Sequence, residues 1–93
     1  MHLARFLNTL FKKDGFILID AYSKKYIIGS PQKKNPITLK ILDKKLHYKL
    51  LFRPDLYFGE GYSAGDITIK NGTLTDFLDL ALMNIGRGEL NFF

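Results

Sequence analysis

The sequence of 93 residues contains no cysteine, so disulfide bonds, thiolate metal ligands and cysteine nucleophiles are all excluded. It also lacks any apolar run close to the ~20 residues that a membrane-spanning helix needs. Arg5, Asn8, Thr9 and Lys12 interrupt the N-terminal segment, where a signal peptide would have a continuous apolar region. From these absences we expect a single small domain in the reducing cytoplasm.

Residues that could perform catalysis or bind a metal are also scarce. His2 and His47 are far apart in the sequence, and neither has another ligand type at helical spacing. Asp76 and Asp79 fall one helical turn apart on the polar side of an amphipathic segment, which is typical of a cap and a solvated face. We therefore predict no catalytic, cofactor-binding or metal-binding residue in this chain.

Basic residues are concentrated in the first half of the chain. Residues 1–45 carry ten Lys and Arg against three Asp, a net charge of +7, whereas residues 46–93 carry four against six acids, a net charge of −2. The sum is the overall charge of +5. A basic surface indicates an anionic partner, either nucleic acid or an anionic membrane. Lysine pairs such as 12–13 and 24–25 also keep strand edges and turns soluble without any partner.

The first half of the chain predicts one helix and three strands. The runs at 16–22 and 24–30 are rich in β-branched and aromatic residues, and they predict a hairpin that turns at Ser23 and Lys24. Residues 37–42 alternate apolar and polar side chains, which predicts a third strand with Ile37, Leu39 and Ile41 on one face. Residues 2–13 predict an amphipathic helix with one apolar stripe: Leu3, Phe6, Leu7, Leu10 and Phe11.

The second half predicts two further helices around a fourth strand. Asp43 is placed to N-cap a helix over residues 44–52, and a short helical or turn segment covers residues 55–63. Residues 66–70 are predicted to form the fourth strand. The last helix opens with Thr73 and Asp76 as a capping box and carries one apolar stripe: Leu74, Phe77, Leu78, Ala81, Leu82 and Ile85.

This order of elements predicts an α+β fold, with a mostly antiparallel sheet of about four strands and the helices packed on one face. We divide the chain into an N-terminal amphipathic helix at 1–14 and a single α+β domain at 15–86. Residues 87–93 are interpreted as a linker toward a further C-terminal domain. Four apolar side chains off the predicted core stripe or near the end of the chain are candidates for contact with that domain: Leu80, Met83, Phe92 and Phe93.

A glycine-rich stretch, Gly59-Glu60-Gly61-Tyr62 with Gly65, raises the question of a phosphate-binding loop. A dinucleotide fingerprint follows a strand and opens a helix, whereas this stretch precedes a strand, and no Gly-Lys-Ser/Thr follows as in a P-loop. We therefore interpret the glycines as tight turns between a helix and a strand, with φ > 0 available to each. Gly65 and at least one of Gly59 and Gly61 are expected to have φ > 0 or a backbone packed too closely for a Cβ. Glu60 can then accept hydrogen bonds that hold the turn.

Residues 46–82, "LHYKLLFRPDLYFGEGYSAGDITIKNGTLTDFLDLAL", resemble the N-terminal domain of bacterial cyclopropane-fatty-acyl-phospholipid synthases. The resemblance extends upstream to a hairpin whose second strand ends at Gly29. Departures from the family pattern are Gly61, Ala64, Ile67 and Thr68. The matching positions are Tyr48, Leu50, Leu51, Gly59, Glu60, Tyr62, Gly65, Asp66, Leu74, Leu78 and Leu82.

The resemblance implies a noncatalytic domain with a fold similar to sterol-carrier-like lipid-binding proteins, in which a curved sheet and helices enclose apolar surface. In that family a separate methyltransferase domain binds S-adenosylmethionine and modifies double bonds in phospholipid acyl chains. No catalytic or cofactor-binding residue can be carried over to these 93 residues. The implied partners are an anionic phospholipid membrane, the catalytic methyltransferase domain and a possible second copy of the chain, at the cytoplasmic face of the membrane.

Two functions remain open from the sequence. The first is a lipid- or membrane-associating module, with contacts expected from Arg5, Phe6, Lys12, Lys13, Lys24 and Lys25. The second is a stand-alone basic domain for nucleic acid, with Tyr22, Tyr26 and Tyr48 as stacking candidates. Eleven Lys against three Arg disfavour base-edge reading, so we favour the first and expect no nucleic-acid partner. The first helix is structural if its stripe faces inward and interfacial if it faces outward.

Overall fold

The computed structural model describes residues 1–85, which form four helices and four strands. In chain order the elements are α1 (His2–Leu10), β1 (Gly15–Ile19), β2 (Lys25–Gly29), β3 (Thr38–Ile41), α2 (Leu46–Phe52), α3 (Pro54–Ala64), β4 (Ile67–Lys70) and α4 (Leu74–Ile85). The fold is therefore α+β, and the predicted order of helices and strands is confirmed. Gly86 and the predicted linker at 87–93 lie outside the described residues.

The region between Asp43 and Gly65 differs from the prediction. Asp43 is not an N-cap, because the residue preceding α2 is Lys45 and no side chain caps this helix. The Asp43 carboxylate instead accepts the Lys45 N–H at 3.0 Å in the turn before α2. The segment predicted as a short helix or turn is the full helix α3, in which Pro54 supplies a first-turn residue whose missing N–H costs no hydrogen bond.

The sheet is mixed, with strand order β2-β1-β3-β4, so the prediction of a mostly antiparallel sheet is wrong. β1 and β2 form the predicted antiparallel hairpin, and β3 and β4 are also antiparallel. The two central strands, β1 and β3, run parallel, with Leu18 opposite Leu39. Because β2 ends beside the start of β1, where Gly29 pairs with Gly15, a short loop passes around that end and brings β3 to the other side of β1.

One face of the sheet carries the core. The alternation along the strands directs one set of side chains toward the helices, and these are Phe16, Leu18, Ile28, Leu39, Ile41 and Ile67, all buried. They share a single apolar cluster with residues of α1, α2 and α4. On the opposite face Ile27 is exposed, while Ile17, which pairs with it across the hairpin, is buried. The helices are therefore packed against one face, as predicted.

Local capping explains where the last helix begins. The Thr73 hydroxyl accepts the Asp76 N–H at 3.1 Å, while the Asp76 carboxylate accepts the Thr73 N–H at 2.9 Å. This reciprocal pair confirms the capping box predicted from the sequence. Further along, the Asn84 side chain donates to the Lys13 carbonyl oxygen at 2.7 Å and accepts the Lys13 N–H at 2.6 Å. The end of α4 is thereby attached to the connection between α1 and β1.

Candidate functional site

A cavity of about 470 Å³ lies between the helices and the inner face of the sheet. It is partly open to solvent, and its volume falls in the range of ~300–1,000 Å³ that small-molecule sites occupy. The central strands form its floor, while α1, α4 and the segment joining α2 to α3 form its walls. The lining residues are Leu3, Phe6, Leu7, Leu10, Phe11, Phe16, Leu18, Leu39, Ile41, Leu50, Arg53, Pro54, Asp55, Phe58, Phe77, Leu78, Ala81 and Ile85.

Aromatic rings make up much of the wall. Phe16 makes edge-to-face contacts with Phe11 at 5.0 Å and with Phe77 at 5.2 Å between ring centroids. Phe77 also stacks on Phe58 at 5.3 Å. These contacts join β1, α3, α4 and the residue that follows α1, and the preferred geometry of each pair restricts how the rings can rotate. The aromatic wall is therefore held in place without a ligand, which suits a largely preformed site.

The only charged residues among the described lining residues are Arg53 and Asp55. The Arg53 guanidinium donates from Nε and Nη2 to the two carboxylate oxygens of Asp55, both at 3.1 Å. These hydrogen bonds lower the pKa of the Asp55 carboxyl below its ordinary value. Both side chains are partly exposed, so the pair contributes little to stability. The sequence prediction missed this pair, although Arg-Pro-Asp at the start of a helix places an acid in the first turn.

The residues predicted to contact lipid separate into two groups. Phe6 lies half-buried and lines the cavity, since the apolar stripe of α1 faces the core: Leu3 and Phe11 are buried and Phe6, Leu7 and Leu10 pack against them. The first helix therefore takes the inward orientation of the two left open by the sequence. The five basic candidates are all exposed and lie on three separate segments of the chain: Arg5, Lys12, Lys13, Lys24 and Lys25.

The glycine motif is not a set of turns, and this part of the prediction is corrected. Gly59 and Gly61 lie inside α3, with Glu60 and Tyr62 as exposed helix residues beside them. Only Gly65 has the expected conformation, as the left-handed C-cap with φ 82°. Gly61 confirms the alternative expectation of a backbone packed too closely for a side chain, because a Cβ there would lie 2.8 Å from Cδ1 of Ile67 on β4. Glu60 accepts no hydrogen bond from residues 1–85 through its side chain, so it does not hold a turn.

The residues predicted to contact another domain differ in how far they are exposed to solvent. Leu80 is 7% exposed and belongs to the core, so its prediction as an off-stripe surface residue is wrong. The buried residues of α4 are Phe77, Leu80 and Ala81, at i, i+3 and i+4, so its core face is rotated from the predicted stripe, on which Leu74, Leu78 and Leu82 are only half-buried. Met83 is exposed, as expected for a surface residue. Phe92 and Phe93 lie outside the described residues.

One buried carboxylate was not singled out from the sequence. Asp20, 4% exposed, directly follows β1 and accepts hydrogen bonds from the N–H groups of Tyr22 and Lys24 and from the Tyr26 hydroxyl. Burial by itself raises the pKa of Asp20, but these donors outweigh it and the pKa is lowered overall. His47 accepts the Ala21 N–H through Nε2 at 3.1 Å. An aspartate before a turn signal is the pattern that could have indicated this arrangement.

Two other kinds of site are absent from residues 1–85. No helix there combines the length and apolar character that crossing a bilayer requires. No group of three or more His, Asp or Glu side chains is placed there to hold a metal ion. The apolar cavity, with the Arg53–Asp55 pair in its lining, is thus the feature of the described residues that best fits a binding site.

Comparisons of the chain with protein-family models, with characterised proteins and with solved structures give no match.

Proposed function

We propose that this chain is a noncatalytic lipid-binding module that takes an acyl chain into the cavity between its helices and sheet. The observation that carries the proposal is the cavity of about 470 Å³, whose lining is apolar except for Arg53 and Asp55. A site of this kind selects its ligand by the apolar surface that the ligand can bury, and its one polar position can hold a headgroup. Unbranched hydrocarbon with an anionic end is the ligand class that fits both properties.

The energetic argument concerns the size of the unfilled space. An enclosed void of this volume would cost about 11 kcal/mol at ~24 cal/mol per Å³. That is comparable to the whole stability of a small domain, ~5–15 kcal/mol. Because the cavity is partly open, water relieves part of this cost, but the phenylalanine walls still gain contacts from any apolar occupant. A bound acyl chain would therefore stabilise the fold as well as occupy the site.

The headgroup position is supported by the hydrogen-bonding capacity of Arg53. A guanidinium has five N–H donors in a planar fork, and Asp55 engages two nitrogens of it. The remaining donors can bind a carboxylate or a phosphate oxygen at the rim of the cavity. Asp55 would then hold the guanidinium in place and discriminate against a second negative charge.

The resemblance to the N-terminal domain of cyclopropane-fatty-acyl-phospholipid synthases agrees with this reading and suggests the setting. In it the module would have a sterol-carrier-like role, holding the acyl chain of a phospholipid for a methyltransferase domain that uses S-adenosylmethionine. That enzyme would work at the cytoplasmic face of an anionic membrane, where a second copy of the chain would be a further partner in a homodimer. The catalytic chemistry would reside in the partner domain.

Uptake of a fatty acid tests the proposal directly. Titration of the 93-residue chain with a fluorescent polyene fatty acid below its critical micelle concentration should give saturable binding that oleate displaces. Ala81 is buried and lines the cavity, so Ala81→Leu adds three carbon atoms to it and should weaken binding about tenfold or more. The matched control is Ala64→Leu, the same change at an exposed position, which should bind like the native chain.

Arg53→Gln tests how much the headgroup contributes to affinity, apart from the hydrocarbon chain. It should weaken binding of oleate but leave binding of oleyl alcohol, which has no negative charge, within about twofold. Absence of saturable uptake by the native chain would overturn the proposal. Equal affinity in Ala81→Leu and Ala64→Leu would overturn it as well, because the ligand would then lie elsewhere.

A further inference from the structure

Two of the largest exposed apolar side chains lie on the outer face of α2. Phe52 is 80% exposed and Tyr48 is 73% exposed, while Leu46 and Leu50 on the other side of the same helix are buried. A residue and the fourth one after it lie on the same face of a helix, so Tyr48 and Phe52 form a pair. Leaving two aromatic rings in water on one face is unfavourable, which indicates that a partner covers them.

The same face is basic. Residues 44–53 contain Lys44, Lys45, Lys49 and Arg53 and no acidic residue. At 3.6 residues per turn, Lys45 and Lys49 fall on the stripe of Tyr48 and Phe52, and both lysines are exposed. These four residues, Lys45, Tyr48, Lys49 and Phe52, are called the α2 face below. It combines aromatic rings with cations on long flexible side chains.

We propose that the α2 face docks the domain on an anionic phospholipid bilayer; this rests on the proposed lipid-binding function and names where the module meets its source of lipid. Aromatic rings partition into the headgroup boundary, while lysine side chains extend their charges to lipid phosphates. Leu50 and Arg53, on the same helix and just after it, line the cavity. Docking through this face therefore brings the cavity and its headgroup position close to the bilayer.

One other basic surface of the described residues combines a lysine with an exposed aromatic ring, since Lys44 Nζ lies 5.1 Å from the ring centroid of Tyr22, but neither residue lines the cavity. The apolar stripe of α1 is packed into the core, so Lys12 and Lys13 have no exposed aromatic partner on that helix. Lys25 has exposed Ile27 near it on strand β2, a single aliphatic side chain. Nucleic acid would match the charge of the α2 face as well. However, the same helix lines the apolar cavity through Leu50, and this continuity with an apolar cavity favours lipid.

A single tryptophan provides the test, because the chain has none of its own. Phe52→Trp should show a blue shift of emission with vesicles containing phosphatidylglycerol, quenching by brominated acyl chains, and no shift with pure phosphatidylcholine vesicles. The matched control is Ile27→Trp, an exposed apolar position on β2 at 63% exposure, which should show no shift. Binding should weaken as salt rises, since screening shortens the range of the lysine charges to ~8 Å at physiological ionic strength.

Vesicle sedimentation of unlabelled variants gives the energetic side of the same test. Phe52→Gln should lower binding to phosphatidylglycerol vesicles about tenfold or more, whereas Ile27→Gln should change it less than about twofold. Replacement of Lys45 and Lys49 by Gln should weaken binding more than the same replacement of Lys12 and Lys13. Circular dichroism of each variant confirms that the fold is retained.

Three results would overturn the docking surface. The first is equal shifts, or no shift, in Phe52→Trp and Ile27→Trp with anionic vesicles. The second is a shift of Phe52→Trp that grows with protein concentration alone, which would assign the face to a second copy of the chain. The third is a response only to a single-stranded oligonucleotide, which would assign it to nucleic acid. Fatty-acid uptake without vesicles is measured in parallel. If docking fails and uptake persists, only the docking surface is overturned. If uptake is absent as well, the proposed function fails with it.

Discussion

The glycines of α3 provide a quantitative test of the local structure. Gly59 lies in the exposed part of the helix, and a Cβ added there meets no heavy atom within 4 Å. Glycine inside a helix is roughly 0.5–1 kcal/mol less favourable than alanine, so Gly59→Ala should raise the free energy of unfolding by that amount. Gly65 has a φ of 82°, a conformation that costs an L-residue roughly 1–2 kcal/mol. Gly65→Ala should therefore lower the free energy of unfolding.

Both substitutions add one methyl group to an exposed position, so the opposite signs arise from backbone conformation alone. Urea denaturation followed by circular dichroism measures the difference, with an unchanged dependence on urea concentration as the sign of an unaltered folded state. In a domain of this size 1 kcal/mol corresponds to roughly 4–8 °C in melting temperature. Gly59→Ala should melt roughly 2–8 °C higher than the native chain and Gly65→Ala roughly 4–16 °C lower.

Gly65→Asn is the control, because asparagine tolerates the left-handed conformation better than alanine and should destabilise less. A loss of stability in Gly59→Ala would refute the reasoning. It would mean that α3 does not continue through Gly59 or that another surface packs there, as expected if the glycines formed turns. Equal losses for alanine and asparagine at Gly65 would equally contradict the left-handed cap.

Two further predictions concern polar groups. Thr73→Ala removes the hydroxyl that accepts the Asp76 N–H and should lower the free energy of unfolding by about 1 kcal/mol in urea denaturation, whereas Thr73→Ser should retain most of it; equal losses would show that the cap does not act through the hydroxyl. The folded-state pKa of Asp20 lies below its ordinary value of 3.8, so its contribution to stability is complete above that pH and is lost as the pH falls through the folded-state pKa. The difference in free energy of unfolding between the native chain and Asp20→Asn should therefore shrink as the pH drops below 3.8, and a difference that stays constant down to pH ~2 would contradict this linkage.

Local patterns explain why much of the secondary structure could be predicted. The stripe that begins at Leu3 and the alternation at 37–42 each report a short-range periodicity that matches one kind of backbone. The capping box at Thr73 and Asp76 is likewise complete within four consecutive residues. The helix α3 was the exception, since Gly59 and Gly61 have low intrinsic helix propensity. Packing of Gly61 against Ile67 and the cap at Gly65 hold this segment helical nonetheless.

The candidate site was only partly accessible from the sequence. Phe6 was named as a lipid contact, and it lines the cavity. Lys12 and Lys13, the other lipid contacts predicted near it in the sequence, do not line the cavity. Arg53 and Asp55 line it, although the sequence did not indicate them. The apolar residues of the site could not be told from ordinary core residues, because both appear in the sequence as the buried side of a helix or strand.

The amino-acid sequence by itself determined the class and order of the elements, the concentration of basic residues and the side of each element that avoids water. These follow from interactions between residues close in the chain and from composition. The tertiary structure alone decided that β3 lies parallel to β1, that Leu80 is covered, and that the helices and sheet leave a cavity between them. Periodicity reports that a side chain faces inward, but how completely the interior is filled depends on the distances between elements that are remote in the sequence.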